Sequence, residues 1–315
     1  RGADIRVNFP VSHPLCVLSS PDRGADKPAL TTADVILAID YDMHYAAPPL
    51  SPKEDARIIH IDIDTAKKGV SLWDRKPEIS VTGQSKDIVP ELTEILKRRL
   101  TPEIMNKIKQ RTEVYSAEHD RLVDEWKRTA EGHAERTPVS AHWLSYCINN
   151  VIDDNTIVVN QTISPSSIVA HLVHRDRPGS LLSCAGGCIG WAPGAALGVK
   201  LAEPDRTVIS LMGDGAFIYG CPEATLWAAK TYEAPFLGII FNNRGYGAIK
   251  GLFRRKYEVE NMGADISAPP DYAAIARACG AFGMTVKEPA GVVPALEECL
   301  AEVRQGRPAV LDVWI

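Results

Sequence analysis

The sequence has 315 residues, of which 45% are apolar and 24% charged, the composition of a soluble globular protein with room for two domains. Its net charge of −5 comes without a basic segment, and no apolar run is long enough to span a bilayer, which argues against nucleic acid and membranes as partners. The seven cysteines are scattered and odd in number, which favours a reduced compartment, so we expect the protein to be cytoplasmic.

Residues 1–100 are predicted to form a small Rossmann-like α/β domain. Apolar runs at residues 34–39 and 57–63 are rich in Ile and Val, as expected of buried strands. Residues 85–100 have the spacing of an amphipathic helix. Because the chain begins in what resembles a loop, we expect this domain to be incomplete at its N terminus.

Residues 101–136 are highly charged, with apolar positions at helical spacing, and are predicted to be a connecting helical linker. After it, Thr137 and Pro138 have the residue types of an N-cap and a first helical position. We therefore expect the next helix to begin there.

Residues 137–315 are predicted to form the larger domain, a doubly wound α/β fold with a parallel six-stranded sheet. Apolar runs alternate regularly with amphipathic segments, which is the pattern of such a sheet. The six predicted strands lie at residues 156–160, 180–184, 207–212, 235–241, 284–288 and 309–315. Ligands of these folds bind beyond the carboxyl ends of the strands.

Two short polar motifs stand at that edge of the predicted sheet. One strand ends in Gly213-Asp214-Gly215, and the next ends in Asn242-Asn243 after 26 intervening residues. The glycines allow a tight turn that brings backbone N–H groups close to phosphate oxygens, but a lone carboxylate would repel phosphate. A cation between them removes the conflict, because carboxylate and amide oxygens are hard ligands of the kind that Mg²⁺ accepts.

The stretch "GDGAFIYGCPEATLWAAKTYEAPFLGIIFNN" resembles the binding signature of enzymes that use thiamine diphosphate. The surrounding segments "AGGCIGWAPGAALGVKLAEPDRTVISLMGDG" and "NNRGYGAIK" are similar to the diphosphate-binding domain of the superfamily of benzoylformate decarboxylase, acetolactate synthase and pyruvate decarboxylase. The stretches "NFPVSHPL" and "ARIIHIDID" resemble its middle domain. The resemblance therefore covers nearly the whole sequence.

The resemblance implies a role for individual residues. Asp214 and Asn243 would bind Mg²⁺ through side-chain oxygens, and Gly245 through its backbone carbonyl. Gly213 would start the turn beside the diphosphate, and the backbone amides of Gly215, Ala216 and Ala248 would hold it. The remaining implied cofactor contacts are the Gly187 carbonyl to the aminopyrimidine, Ile189 beneath the cofactor, and the hydroxyls of Thr162 and Ser164 near the diphosphate.

The resemblance also implies an activity, decarboxylation or carboligation of a 2-oxo acid. In such enzymes a glutamate that activates the cofactor belongs to a separate, N-terminal pyrimidine-binding domain, which this sequence lacks. We expect that domain either in a longer protein of which this sequence is a piece, or in another chain, and we expect a homodimer or homotetramer. No catalytic residue can be named from the sequence itself.

Two other functions stay open. A non-catalytic or degenerate member of the superfamily would keep the metal ligands but need a separate pyrimidine domain. A nicotinamide-dependent dehydrogenase is suggested by Ala185-x-Gly187-x-x-Gly190, which is close to the dinucleotide fingerprint. The acidic residues that should then bind a ribose, Glu203 and Asp205, precede the next strand instead of following it.

Three other groups have more ordinary interpretations. Cys184 and Cys188 have no second ligand pair for a zinc site, so they are expected to pack as small residues. His171 and His174 could be a ligand pair on one helix, and Arg254 with its neighbours could bind a substrate carboxylate. Structural histidines and a solvated charged face are the expected outcomes.

Overall fold

The computed structural model describes residues 7, 9–16, 32–41, 52–66, 77–184, 188–258 and 263–315. The chain divides into two compact units, residues 14–121 and residues 122–315, and the described residues up to His13 belong to the second. None of the helices in the described ranges has the length and apolar character that a bilayer crossing requires.

The first unit contains a parallel sheet of three strands in the order β1-β2-β3. Its strands and first helix are β1 Val35–Ile39, β2 Arg57–Asp62, β3 Ile79–Thr82 and the helix Ser85–Arg98. The predictions of β1, β2 and the helix are confirmed. Strand β3 was not predicted, because its four residues are largely exposed and alternate Ile and Val with Ser and Thr.

A helix of 30 residues, Pro102–Glu131, follows. The helical part of the predicted linker is therefore confirmed, but it ends five residues before residue 136. The predicted N-cap at Thr137 is wrong. The Thr137 hydroxyl donates to Glu288 Oε2 at 2.9 Å, and the Val139 N–H donates to the Trp314 carbonyl at 3.0 Å, so neither residue joins a helix. Ser140 is the N-cap instead, and its hydroxyl accepts the His142 N–H at 3.2 Å.

The second unit is built on the predicted six-stranded sheet, in which every pairing is parallel. The strand order is β5-β4-β6-β7-β9-β8. The strands are β4 Thr156–Gln161, β5 Leu181–Ser183, β6 Thr207–Gly213, β7 Leu237–Asn242, β8 Phe282–Val286 and β9 Ala309–Trp314. Strand β8 begins two residues earlier than predicted, because the Phe282 N–H donates to the Pro308 carbonyl at 2.7 Å and joins the sheet there.

Helices lie between these strands, as expected for a doubly wound sheet. Those that were predicted are Ala141–Val151, Ser166–Leu172, Trp191–Ala202, Pro222–Thr231, Tyr272–Ala278 and Val292–Arg304. Two more, Asp214–Tyr219 and Gly247–Tyr257, were not predicted. The first begins at the residue that we expected to lie in a turn. The second has apolar residues at helical spacing, such as Ile249 and Leu252, but buries none of its residues.

The core has two layers, one on each face of the six-stranded sheet. In β6, Ile209 and Leu211 pack on one face and Val208 and Met212 on the other, and all four are fully buried. Strands covered on both faces are continuous apolar runs, which is why the sequence revealed them. A ligand has access to such strands at their ends, and both polar motifs lie at the carboxyl ends.

Candidate functional site

Asp214 is the first residue after β6 and begins the helix Asp214–Tyr219. Its side chain is only 1% exposed, and Oδ2 accepts the Gly245 N–H at 2.9 Å. Burial raises the pKa of this carboxyl group, and backbone N–H groups, first that of Gly215 and then that of Gly245, oppose the rise. The hydrogen bond joins the two polar motifs, as the sheet order requires for neighbouring strands β6 and β7.

Asn243 is the first residue after β7. Its Oδ1 is buried and has no hydrogen-bond partner within the described part of the chain. Such an orphaned acceptor costs about 1–3 kcal/mol unless something satisfies it. Two residues later the Gly245 N–H donates to the buried Asp214 carboxylate, so the orphaned Asn243 oxygen fits a cation or a donor group.

Gly245 is fixed by a short antiparallel bridge to Asp265. The next N–H, that of Tyr246, donates to the Ala264 carbonyl at 2.8 Å. A Cβ on Gly245 would lie 2.7 Å from the Ala264 carbonyl oxygen, so a larger residue does not fit here. The bridge holds the backbone that carries the predicted third metal ligand beside Asp214.

Glycine also allows close packing after Asp214. A Cβ on Gly215 would lie 2.4 Å from Cε1 of Tyr246, so the tyrosine ring covers this residue. A Cβ on Gly213 would meet nothing within 4 Å among the described residues, so space is open beside the turn. Ala216, the next predicted phosphate contact, is buried in the first turn of the helix.

The hydroxyl residues after β4 differ in their surroundings. Ser164 Oγ and Asn243 Nδ2 each lie 2.8 Å from the position that a Cβ on Gly247 would take, so Ser164 and Asn243 are neighbours. Thr162 is buried, and its hydroxyl donates to Asn160 Oδ1 at 2.8 Å, so that hydrogen is already used. Ala248 is exposed in the first turn of the helix Gly247–Tyr257.

The glycine-rich loop before Trp191 is described only in part. Gly187 lies outside the described residues. Ile189 is 38% exposed, an unusual position for a large apolar side chain in a loop. Gly190 has φ +83°, and a Cβ on it would lie 2.8 Å from the Gly220 backbone nitrogen, so the loop packs against the end of the helix Asp214–Tyr219.

Gln161, the last residue of β4, holds this loop and was not predicted as a site residue. Its Nε2 donates to the Cys188 carbonyl, and its Oε1 accepts the Ala192 N–H at 3.0 Å. The two contacts lie on either side of Ile189. The sequence signal that could have revealed this role was a glutamine at the end of a buried strand.

The other side chains considered in the sequence analysis lie in ordinary structural environments and not in a ligand site. No cluster of three or more His, Cys, Asp and Glu side chains that could hold a metal occurs in the described ranges, and those ranges include Cys184 and Cys188. The His171 ring stacks on Trp126 with centroids 4.0 Å apart, and His174 Nε2 lies 2.7 Å from the His171 carbonyl oxygen. Arg254 is exposed on the helix Gly247–Tyr257.

Comparison with known proteins agrees with this geometry. Residues 164–313, a range that contains both polar motifs, match the family model described as thiamine pyrophosphate enzyme, C-terminal TPP binding domain. The matched residues, just under half of the chain, resemble the cofactor-binding domain of thiamine diphosphate-dependent enzymes. Thiamine pyrophosphate and thiamine diphosphate are two names for one cofactor.

Similar proteins in this superfamily carry more than one activity. The chain is 24% identical to acetolactate synthase isozyme 3 large subunit of Escherichia coli, over 83% of this chain and 44% of that protein. It is 33% identical to benzoylformate decarboxylase of Pseudomonas aeruginosa, over 57% of this chain and 33% of that protein. The chain thus spans about half the length of the curated relatives that it matches.

A solved structure shares the fold. The thiamine diphosphate-dependent 4-hydroxybenzoylformate decarboxylase of Rhodococcus jostii RHA1 is 24% identical and superposes with a TM-score of 0.68. The match covers 98% of this chain and 54% of that one. The likeness confirms the predicted α/β architecture, with the smaller parallel sheet preceding the larger one.

Proposed function

We propose that this chain binds the diphosphate of thiamine diphosphate through Mg²⁺, as part of an enzyme that decarboxylates or carboligates 2-oxo acids. The observation that carries the proposal is the hydrogen bond from the Gly245 N–H to buried Asp214, two residues after Asn243, whose side-chain oxygen is orphaned. The superfamily match supports the cofactor, and the oxygen donors support the metal.

Charge favours a divalent cation at this point. Asp214 is buried, and its pKa is raised because burial disfavours the charged form. Among the described residues, the groups that oppose this rise are backbone N–H groups and not positively charged side chains. A bound cation would supply that charge and would lower the cost of keeping the carboxylate ionised. Asp214, Asn243 and the Gly245 carbonyl would together offer three oxygens to Mg²⁺, a cation that takes oxygen ligands and is commonly bound together with substrate phosphates.

The groups around these ligands would hold the phosphates and the rest of the cofactor. Open space beside Gly213 and the backbone amide of Ala216 suit phosphate oxygens, whereas the Gly215 amide already donates to the Asp214 carboxylate. Ser164 lies next to Asn243 and can donate its hydroxyl to the same group. Ile189, held from both sides by Gln161, would present an apolar surface to the cofactor and exclude water.

Thiamine diphosphate, when bound, supplies the nucleophilic carbon and the electron sink for cleavage or formation of a bond next to a carbonyl. We propose that a pyrimidine-binding domain, in the same protein or in another chain, supplies the activating glutamate. A cytoplasmic homodimer or homotetramer is the assembly that we propose. The relatives named for acetolactate synthesis and for decarboxylation support both reactions equally.

Calorimetric titration of the chain with thiamine diphosphate tests the cofactor and metal. Binding should be measurable with Mg²⁺ and lost with a chelator, and Asp214→Asn should weaken it at least tenfold. Asp205→Asn is the matched control, because it removes an exposed carboxylate from the loop before β6. Equal binding by Asp214→Asn and the unaltered chain would refute the proposed site.

A second experiment separates an enzyme from a non-catalytic subunit. The chain is combined with a pyrimidine-binding domain, and release of CO₂ from 2-oxo acids is measured. Turnover that depends on Asp214 supports the enzyme, whereas cofactor binding without turnover favours the non-catalytic subunit. Quenching of nicotinamide cofactor fluorescence by the chain would instead support the dehydrogenase.

A further inference from the structure

The two adjacent asparagines at the end of β7 have different surroundings. Asn242 is 1% exposed, and both ends of its amide are used. Its Nδ2 donates to Asp312 Oδ1 at 2.9 Å, and its Oδ1 accepts the Arg244 N–H at 3.1 Å. Asn242 therefore has no oxygen to offer a metal, but it fixes the backbone of the residue after Asn243.

Asp312 is the anchor of this arrangement. It lies in β9, is 3% exposed, and its Oδ2 accepts the indole N–H of Trp314 at 3.3 Å. The Lys287 ammonium lies over the Trp314 indole, 4.0 Å from a ring centroid, and helps to hold it. Asp312 thus has a donor on each oxygen.

These contacts end at the turn that carries two of the three proposed metal ligands. Arg244 has φ +55°, in the left-handed region that non-glycine residues seldom occupy, and the hydrogen bond from its N–H to Asn242 favours this conformation. The turn brings the Gly245 backbone to Asp214, and Asn243 lies two residues before that contact.

We propose that Asn242 and Asp312 are positioning residues for the metal site. Asp312 orients the Asn242 amide, Asn242 holds the Arg244 N–H, and the resulting turn sets the oxygens of Asn243 and Gly245 at the cation. The inference rests on the proposed function and adds two residues that touch neither metal nor cofactor. Groups that orient metal ligands from behind commonly change metal affinity 10–100-fold when they are removed.

Exchanging the two residues provides a sharp test, because it keeps all three hydrogen bonds. In the double variant Asn242→Asp with Asp312→Asn, the new carboxylate accepts from the Arg244 N–H and from the new amide. The amide oxygen accepts from Trp314. Each single variant breaks the pattern: Asn242→Asp sets two carboxylates against each other, and Asp312→Asn sets an NH₂ group against a donor.

Mn²⁺ binding, measured by electron paramagnetic resonance with thiamine diphosphate present, reports on the site without catalysis. We expect a 10–100-fold weaker Mn²⁺ affinity in each single variant and recovery to within about threefold of the unaltered chain in the exchanged variant. Thr156→Val is the matched control. Thr156 is 1% exposed, its hydroxyl donates to Asp153 Oδ1 at 2.8 Å, and it lies at the opposite end of the sheet. Its loss should lower the melting temperature but leave Mn²⁺ affinity unchanged.

The outcomes separate this inference from the proposed function. Single variants that bind Mn²⁺ as tightly as the unaltered chain would overturn the positioning role alone. An exchanged variant that folds, as judged by circular dichroism, but binds no better than the singles would do the same. Absence of Mn²⁺ binding by the unaltered chain would overturn the inference together with the proposed function.

Discussion

The buried carboxyl group of Asp312 should make folding depend on pH in a direction opposite to that of an ordinary surface carboxylate. Burial, with a smaller effect of the negative charges of Asp214 and Asp271, raises the pKa of Asp312 from 3.8 to about 6, although Asn242 and Trp314 donate hydrogen bonds to it. A carboxyl group with a raised pKa holds its proton more tightly in the folded state than in the unfolded state. Its contribution to stability is therefore complete below pH 4 and is lost as the pH rises through 6.

The size of the effect follows from the same numbers. Each pKa unit corresponds to about 1.4 kcal/mol, so the rise to about 6 is equivalent to about 3 kcal/mol between pH 4 and pH 7. Asp312→Asn is uncharged throughout and lacks this term. The unfolding free energy of the unaltered chain, minus that of Asp312→Asn, should thus fall by about 3 kcal/mol over this range.

Denaturant titrations at half-unit pH steps, in buffer without divalent cations, measure this difference. Subtracting the variant removes the contribution of the other titrating groups, which both proteins share. Thr156→Val, whose substituted side chain does not titrate, should follow the unaltered chain in parallel at every pH. Parallel curves for Asp312→Asn would refute the reasoning, because they would mean that Asp312 titrates alike in the folded and unfolded states.

Three further substitutions probe the packing around the site. Gly215→Ala should destabilise the chain by about 1–3 kcal/mol in thermal unfolding, because its Cβ would lie 2.4 Å from Cε1 of Tyr246; no loss would show that the ring can move freely. Gln161→Leu leaves the Ala192 N–H unpaired, so hydrogen exchange at that amide should accelerate at least tenfold, and unchanged exchange would contradict the role of Gln161. Tyr272→Phe should change the unfolding free energy by less than about 1 kcal/mol, because the buried hydroxyl has no hydrogen-bond partner in the described part of the chain; a loss above about 2 kcal/mol would reveal one.

The strands of the larger sheet could be predicted from the sequence because both of their faces are buried. Residues such as Ile209 and Met212 point to opposite layers of the core, so the apolar run is uninterrupted. The same principle explains the two failures. Strand β3, Ile79–Thr82, is short and largely exposed, and the helix Gly247–Tyr257 buries no residue, so neither has the continuous apolar run of a buried element.

Predictions from the local sequence were also wrong where residues distant along the chain bind the same side chain or backbone. Thr137 has the residue type of an N-cap, but Glu288 takes its hydroxyl, and the backbone after it pairs with Trp314. Asp214 was expected in a turn before a helix at Pro222, whereas a short helix begins at Asp214 itself. Both corrections depend on contacts that only the folded sheet creates.

The candidate site also contains residues that local sequence reveals and residues whose roles depend on distant partners. Asp214 and Asn243 were predicted as neighbours because each follows a strand and adjacent parallel strands end at one edge. Gln161 and Asp312 were not predicted, since Gln161 binds partners at least 27 residues away and Asp312 accepts from Asn242, 70 residues away along the chain. Roles that depend on such pairings have no local pattern in a single sequence.

The point at which the sheet ends explains why the adjacent residues Asn242 and Asn243 have different roles. Asn242 still pairs with Trp314 in the β7–β9 ladder, so its side chain lies within the sheet and meets Asp312 of the neighbouring strand. Asn243 is the first residue beyond the ladder, as Asp214 is the first residue beyond β6. Asp312 holds the Asn242 amide, and that amide accepts the Arg244 N–H, so Asn243 lies between two residues that are fixed. In this way strand β9 would act on the proposed metal site without contributing a ligand.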